Sequence, residues 1–333
     1  MPTLGTGALT LADWAKRKDP SGKTDSIIEL LAQTNEALLD MRFLECNNGT
    51  THRTTVRTGL PTVAWRMLNA GVTPSKSTTA QIDAGTGMLE AWSEVDIDLA
   101  KMAPDLGAFR LSEGMAFVEA MNQEVMQTVI YGNQGLAPEE FTGLAPHFSA
   151  ISGASNAENI LDAGGTGSDN SSIWLAVWGD RAIHGLFPQN SMAGLQHNDY
   201  GEVTVEVTAG IAGTRMRALQ ERWQWKVGLC VRDWRQAVRI CNIDVSDLVA
   251  GTGADLVTLL IRAEHRLFNK QGGRAAIMMN RTCFEYLDIQ RRADVLSGGQ
   301  LSYQDVDGIR RATFRGIPIA ITDALTEAEA QVT

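Results

Sequence analysis

The sequence lacks the patterns that would mark a metal site or a redox centre. It has only four cysteines in 333 residues, and none of them forms a C-x-x-C pair, so neither zinc nor disulfide exchange gains support. Its five histidines are scattered, without H-E-x-x-H or H-x-x-x-H spacing, and isolated histidines are more often surface or core residues than ligands. Unpatterned cysteines in a chain of this length are typical of buried thiols in a reducing compartment. We therefore expect no metal and no cofactor.

Long apolar runs and an excess of basic charge are also absent. No stretch of about 18 apolar residues could span a membrane, and the first 20 residues do not resemble a signal peptide. The formal net charge is −10, which argues against tight, sequence-independent binding to phosphate backbones. Only 7 of the 29 basic residues are lysine, and 22 are arginine. Arginine suits fixed bidentate pairing across packed surfaces, so this bias favours a protein that forms interfaces.

The sequence contains only partial matches to the loop motifs of known enzymes. Gly22-Lys23-Thr24 resembles the end of a phosphate-binding loop, but Arg17 stands where its first glycine should be and no strand precedes it. Gly-Thr-Gly occurs four times without the third glycine of a dinucleotide fingerprint. No G-x-S-x-G is present, so a nucleophile elbow is also missing. The sequence therefore predicts no catalytic residue.

The stretch Leu111–Gly132 is the most regular part of the chain. Leu111, Met115 and Val118 continue into Val125 and Val129 at three- and four-residue steps, which predicts an amphipathic helix. We call it the spine helix. Ser112 is the expected N-cap, Gly132 the stop signal, and the wide apolar stripe predicts that most of the helix surface is covered.

The residues before the spine helix divide into an arm, a helix and a hairpin. Residues 1–24 hold glycine, proline, a basic cluster and a few apolar anchors such as Trp14, which is too little to fold alone. Such a segment either orders on a neighbouring subunit or is a frayed terminus. Ser26 and Glu29 form a capping box, which predicts a helix over Ser26–Leu44.

Residues 50–100 read as a long hairpin. A strand-like start leads through Thr62–Gly71 to the polar, glycine-rich stretch Thr73–Gly87, which we expect to be the tip. The return strand alternates Val95, Ile97 and Leu99 with acidic residues. Because an isolated hairpin is marginal in water, we expect a neighbouring subunit to hold it and the tip to add little to the subunit's own fold.

Charged residues on the two strands of this hairpin are candidate contact residues. Arg53 and Arg57 share one face, and Asp96 and Asp98 share another, so cross-strand arginine–aspartate pairs are the first interpretation. A solvated strand face is the second. A metal site between the carboxylates is the third.

The second half of the chain predicts most of the sheet. The expected strands are 173–178, 182–188, 202–207 and 223–231, followed by a helix over Asp255–Asn269 with Gly272-Gly273 behind it. The chain then predicts the buried strand Ala275–Asn280, a helix over Thr282–Asp294, and a strand pair or bend near its end.

The order of these parts resembles the major capsid proteins of tailed bacteriophages, which have the Hong Kong ninety-seven capsid fold. RTGLPTVAWRMLNAG (57–71) resembles the beginning of the extended loop, and RWQWKVGLCVRDWRQAVRICNID (222–244) resembles strands of the peripheral domain. AAIMMNRTCFEYL (275–287) and FRGIPIAITDAL (314–325) are similar to the axial domain. The resemblance implies an α+β fold with an arm and first helix (1–48), an extended hairpin (49–100), a peripheral domain with the spine helix (101–245) and an axial domain (246–333).

Two features depart from the usual pattern of that family. The expected peripheral strands precede the axial segment, so the connectivity is permuted if both assignments hold. Some relatives link subunits through a lysine–asparagine isopeptide bond, and Lys76 lies at the hairpin tip. No partner asparagine or catalytic carboxylate can be identified, however, so a solvated lysine is the better interpretation of Lys76.

The resemblance implies a structural subunit of an icosahedral capsid that forms hexamers and pentamers around double-stranded DNA. It would act in the virion after assembly in the host cytoplasm, with no membrane contact. Its partners would be other copies, a scaffolding, portal or decoration protein, and weakly held DNA. The candidate intersubunit contacts are Trp14, Arg53, Arg57, Lys76, Asp96 and Asp98. The alternatives are an encapsulin-type compartment shell and a soluble enzyme with a glycine-rich ligand loop.

Overall fold

The computed structural model describes residues 35–102, 105–206, 215–293, 301–306 and 309–333. Within them, the strands are β1 Phe43–Glu45, β2 Thr51–Gly59, β3 Thr78–Asp96, β4 Ile160–Asp162, β5 Asn170–Trp178, β6 Ile183–Phe187, β7 Leu195–Glu206, β8 Arg215–Val231, β9 Ala237–Asp244, β10 Arg274–Met279, β11 Leu301–Val306, β12 Ile309–Phe314 and β13 Ile317–Ile321. The α-helices are α1 Ile97–Lys101, α2 Leu106–Tyr131, α3 Leu144–His147, α4 Val245–Ala250, α5 Leu256–Arg266 and α6 Arg281–Ala293. This mixture of helices with a mixed sheet confirms the α+β class.

Strand β5 is the centre of the molecule, because it is buried on both faces over its whole length. Its even-numbered residues, among them Trp174 and Trp178, face a core that also contains the end of the spine helix α2. Its odd-numbered residues, such as Leu175, face a second core beneath α5 and α6. The sheet thus lies between helices on both sides, which explains why this strand is a continuous apolar run.

The sheet extends in two directions from β5. On one edge β5 pairs with β10, which runs parallel to β13, and β13 leads on to β12 and β11. On the other edge β5 pairs with β9. Through β6 the sheet continues to the long strand β8, which pairs with β3 over residues 218–228 and with β7 over residues 215–225. The spine helix covers one face of this second region.

The predicted hairpin is present, and it is an extension of β3. The first part of β3 pairs with β2, whereas its second part pairs with β8 in the body of the sheet. The strand ends earlier than the sequence indicates, because the Asp96 carboxylate accepts a hydrogen bond of 2.8 Å from the amide of Asp98 and caps α1. Asp96 and Asp98 therefore do not share a strand face, and that part of the prediction is wrong.

The spine helix is longer than predicted. It begins at Leu106, where the Asp105 side chain accepts bonds from the amides of Gly107 and Ala108, so Ser112 lies inside the helix and is not its N-cap. The helix ends before Gly132, as predicted. A β-carbon on Gly132 would lie 2.5 Å from the Phe141 carbonyl, so the close return of the chain requires glycine here.

The predicted helix over Ser26–Leu44 is wrong for its described part, residues 35–44. These residues form a short 3-10 helix over Glu36–Leu39 and then β1, which runs parallel to β6. An ion pair holds this segment against the sheet, because the buried Asp40 carboxylate pairs with Arg311 at 2.9 Å and with Arg274 at 3.0 Å. The arm over residues 1–24 lies outside the described residues.

The last residues of the chain form a strap across both halves of the sheet. Glu329 is buried and pairs with Arg239 at 2.9 Å, and it also accepts bonds from the Tyr131 hydroxyl and the Ser172 hydroxyl. Burial and the Glu329 carboxylate raise the pKa of Tyr131. The strap thus connects the end of the spine helix to β5 and β9.

The other predicted elements of the second half are confirmed. Helix α5 follows an Asp255 side chain that caps Thr258, and β10, α6, β12 and β13 lie where the sequence predicts a strand, a helix and a strand pair. The short strands β1 and β4 are additional, because three-residue strands carry too little periodicity to detect.

Candidate subunit interface

The hairpin ends in an exposed apolar loop. Residues 60–77, here called the hairpin tip, connect β2 to β3, and every residue from 60 to 79 is exposed. The exposed apolar side chains of the tip are Leu60, Val63, Trp65, Met67, Leu68 and Val72. Trp65 is as exposed as in an extended chain, at 104%. Six exposed large apolar side chains in one loop indicate a site of association.

The position of this tip corrects the sequence prediction. Of the stretch Thr73–Gly87, everything from Thr78 onward belongs to β3 and pairs either with β2 or with β8. The tip is formed instead by residues 60–77, whereas the sequence predicted that Thr62–Gly71 only lead toward it. The sequence holds one sign that the strand ends here, because Pro61 interrupts it.

The prediction that Arg53 and Arg57 pair with Asp96 and Asp98 is wrong. Arg53 lies opposite Asp83 in the register of the hairpin, and its guanidinium makes two bonds to that carboxylate, of 2.7 and 2.8 Å. This contact holds the pKa of Asp83 below its ordinary value. Arg57 lies opposite Thr79. The aspartates that were predicted as partners lie beyond the end of β2, next to β8.

The geometry of a single subunit does not test the other candidate contacts between subunits. Lys76 lies in the exposed hairpin tip, and Trp14 lies outside the described residues. The roles of Trp14, Arg53, Arg57, Lys76, Asp96 and Asp98 between subunits therefore stay predictions.

The first half of the spine helix forms one wall of an open groove. Leu111, Met115 and Val118 are 69%, 65% and 41% exposed, although they belong to the stripe that the sequence expects to be covered. The opposite wall is formed by Leu195 on β7 and Trp223 on β8. We call this surface the spine groove.

Aromatic packing fixes the width of the spine groove. The Trp223 ring stacks on Phe117 at 4.9 Å and on His197 at 5.0 Å. A β-carbon on Gly114 would lie 3.1 Å from the Trp223 ring, so glycine lets the helix approach the sheet closely at this point.

A charged network lines one end of the spine groove. The Arg110 guanidinium on the helix pairs with Asp199 at 2.8 Å and also with Glu221. The Glu221 carboxylate lies 3.0 Å from Nε2 of His197. The arginine holds the pKa of Asp199 below its ordinary value. Counting Glu119, three carboxylates and one arginine line the groove, so its net charge is −2 with histidine neutral.

The described residues offer no arrangement typical of catalysis or metal binding. No three His, Cys, Asp or Glu side chains among them are grouped to hold a metal ion. All four cysteines are buried and free, and burial raises the pKa of Cys46, Cys230 and Cys241 to about 11. None of the helices in the described ranges is long and apolar enough to cross a membrane.

Comparison with known proteins gives one family match. The profile of the family described as major capsid protein GP7 matches residues 19–333. No protein of curated function matches the chain.

Comparison with solved structures gives a strong similarity to a bacteriophage protein. A chain from the near-atomic cryo-EM structure of bacteriophage Epsilon15 is 34% identical, with a TM-score of 0.78 and 99% of each chain covered. The capsid of a native GTA particle is 10% identical, with a TM-score of 0.45, covering 67% of this chain and 94% of that one. The capsid of Myoviridae phage XM1 is 10% identical, with a TM-score of 0.42, covering 66% and 95%. The Epsilon15 similarity is high enough to compare in detail, whereas the similarities to the GTA particle and to phage XM1 are too low.

Proposed function

The chain belongs to the major capsid protein GP7 family, and from this premise we propose that its copies form hexamers and pentamers joined by the long hairpin. A major capsid protein is the repeating structural subunit of a phage shell, and its place is the virion. This confirms the prediction of a self-associating structural protein and not an enzyme. It also removes the support for an encapsulin-type compartment or a soluble enzyme.

The observation that carries the role of the hairpin is its exposed apolar tip. Burying a side chain the size of tryptophan or leucine stabilises a contact by about 1.5–3 kcal/mol, and the tip holds several such side chains in open solvent. A shell of many copies offers each tip a neighbouring surface. Arg57 and Lys76 lie toward the same end of the hairpin and would form polar contacts around that apolar centre.

For the domains of the chain we propose the division that the family resemblance implies. Residues 1–48 would form the arm and its connection, 49–100 the extended hairpin, 101–245 the peripheral domain and 246–333 the axial domain. The pairing of β5 with both β9 and β10 would join the peripheral and axial domains into one continuous sheet. The extended hairpin would project from this body.

The other partners that we propose are packaged DNA and accessory proteins of the capsid. With a net charge of −10, the shell would contact packaged double-stranded DNA weakly and without sequence preference. Assembly would take place in the host cytoplasm, with a scaffolding, portal or decoration protein as additional partner.

Replacing the hairpin tip tests the proposed role of the hairpin. Gly59 and Thr78 are paired across the hairpin, so Asn-Gly in place of residues 60–77 supplies the two-residue turn that such a pair accepts. The variant subunit should keep its circular dichroism and melting temperature, because no residue of the tip is buried. It should fail to form closed shells in electron micrographs.

A point-substituted set separates apolar contact from loop length. Trp65→Ser, Met67→Ser and Leu68→Ser together should also prevent closure. The control Leu136→Ser with Met192→Ser, which removes two strongly exposed apolar side chains elsewhere, should not. Closed shells from either tip variant would overturn the proposed role of the hairpin.

A further inference from the structure

Basic side chains converge on a cavity at one end of the sheet. The first residues of β10 and β13, the turn between β12 and β13, and Lys270 just before β10 enclose a volume of about 420 Å³. Its charged lining is Lys270, Arg274 and Arg315, and no acidic residue of the described chain lines it. We propose that this cavity, here called the basic pocket, is a binding site for a phosphate group.

Two of the three basic side chains share a single counter-charge. The Glu264 carboxylate on α5 is buried, and it pairs with Arg315 at 2.9 Å and also with Lys270. In the described part of the chain no other carboxylate pairs with either cation, so one positive charge lacks a counter-charge. Arg274 pairs with Asp40 at 3.0 Å. Because an uncompensated charge at a partly buried site attracts an opposite one, the pocket favours an anion.

The hydrogen-bond donors of the basic pocket suit phosphate. A guanidinium carries five N–H donors and an ammonium three, and the contacts with Glu264 use only part of each set. The side chains of Lys270 and Arg315 are 45% and 38% exposed, so their other donors are open to a ligand. Arginine pairs with phosphate bidentately, and phosphate offers more acceptor oxygens than a carboxylate does. Donors from separate elements of the fold can therefore meet on one phosphate group.

The backbone of Arg315 is an independent sign of function. Phe314 pairs with Ile317, so Arg315 and Gly316 form a two-residue turn, and their φ angles are 51° and 84°. Such a turn normally holds Asn-Gly or Asp-Gly, because a β-carbon disfavours the left-handed conformation. Residues held in this region cluster at binding sites. A ligand for the Arg315 guanidinium explains why arginine stands here.

The charge of the whole chain makes unspecific attraction of anions weak. With a net charge of −10, the subunit repels phosphate at long range, so binding depends on the basic pocket itself. The same oxygens are present on free phosphate and on the backbone of packaged DNA. The proposed site takes that shared chemistry, and the two sources are separated by experiment.

Calorimetric titration of the unassembled full chain with inorganic phosphate tests the proposal. The unmodified subunit should bind saturably, and Arg315→Asn should weaken binding by about tenfold or more, the loss expected for one charge-assisted hydrogen bond. Because asparagine suits the left-handed turn, this variant should not lower the melting temperature. If it does, Lys270→Gln decides, since it should weaken binding without changing the turn. The matched control Arg217→Asn, which removes an exposed arginine from β8, should bind phosphate like the unmodified subunit.

A short DNA duplex separates the two sources of phosphate. If the basic pocket holds the DNA backbone, Arg315→Asn should weaken duplex binding, and inorganic phosphate should compete with the duplex. If it holds free phosphate, Arg315→Asn should leave duplex binding unchanged. Either result supports the proposal when inorganic phosphate binds as expected.

Three results would overturn the proposal. One is the absence of saturable phosphate binding by the unmodified subunit, and another is equal binding by the unmodified, R315N and K270Q subunits. The third is a map of assembled shells in which an aspartate or glutamate of a neighbouring copy fills the basic pocket, which would assign it to a contact between subunits. The titration uses unassembled chains, so a negative result there leaves the proposed function intact.

Discussion

Single residues stabilise this fold most specifically where a charge is buried with its partner. Asp40 and Arg311 fix the start of the described chain to β12, and Glu329 with Arg239 fixes its end to β9. Side chains this deeply buried lose their hydration, and the loss is offset only when their hydrogen bonds are complete. Glu329 meets that condition through Arg239, Tyr131 and Ser172.

Removing the buried carboxylate of the strap should therefore be costly. We expect Glu329→Ala to lower the free energy of unfolding of the subunit by about 3–5 kcal/mol, because Arg239 is left buried and uncompensated. Glu285→Ala, an exposed residue on α6, should change it by no more than about 0.5 kcal/mol. Urea denaturation of both variants measures the difference, and equal stabilities would contradict this role of Glu329.

The fully buried His184 predicts a loss of stability in acid. Burial, reinforced by the neighbouring His52 ring at 5.6 Å and by Arg232, lowers its pKa from 6.5 to about 4, whereas Asp180 acts in the opposite direction. The Gly179 backbone also acts to raise the pKa, although neither ring nitrogen makes a hydrogen bond of good geometry to the described residues. The unfolded chain thus binds a proton below pH 6.5 that the folded chain refuses until about pH 4, so stability falls as the pH falls through that window.

The expected contribution of His184 is about 3 kcal/mol at full effect. His184→Leu should therefore lose less stability than the unmodified subunit between pH 6.5 and 4, whereas His265→Leu, at an exposed position on α5, should match the unmodified slope. Parallel slopes for His184→Leu and the unmodified subunit would contradict the prediction.

Residue pairing shows where sequence reasoning stops. The pattern correctly places Arg53 on a hairpin strand, but its partner depends on where the turn falls. Because the turn spans residues 60–77, Arg53 meets Asp83. Period-two alternation gives the face of a residue, but the length of the loop sets the register.

At the scale of elements, the spine helix has two different halves. Met121, Val125 and Met126 in its second half are buried in the subunit core, whereas Met115 and Val118 in its first half are exposed. One apolar stripe therefore serves folding at one end and is available for association at the other.

Two methionines on this helix make a matched pair for that division. Met126→Ala should lower the free energy of unfolding by about 2–5 kcal/mol, because it opens a cavity in the core. Met115→Ala should change it by no more than about 0.5 kcal/mol but should weaken shell assembly. Denaturation and light scattering of the same two variants separate the effects. A large loss of subunit stability in Met115→Ala would contradict the division.

Elements with strong periodicity were predictable, and their limits less so. The helix ending at Gly132 and the helix after Asp255 follow directly from apolar spacing and capping residues. Asp96, however, ends a strand by capping α1, a local bond that competes with the alternating pattern of the residues after it. The exposed tip around Trp65 was missed because an apolar run usually indicates a core, and only the tertiary structure shows that this one has none.

At the scale of the whole molecule, the central strand β5 is buried on both faces of the sheet, and the long hairpin with its exposed apolar tip projects from this body. The family resemblance in the sequence predicted this organisation, because the hairpin, the spine helix and the strands of the body follow one another in that order along the chain. What the sequence could not show is that the first half of the apolar stripe on the spine helix stays uncovered in the subunit, since that depends on how the helix packs on the sheet.

A cryo-EM map of particles assembled from the full chain tests the central claim most directly. The account predicts closed icosahedral shells built of hexamers and pentamers, in which each hairpin tip lies on a neighbouring copy and Trp65 is buried there. Small soluble oligomers, or shells in which the hairpin tips extend into solvent, would contradict it.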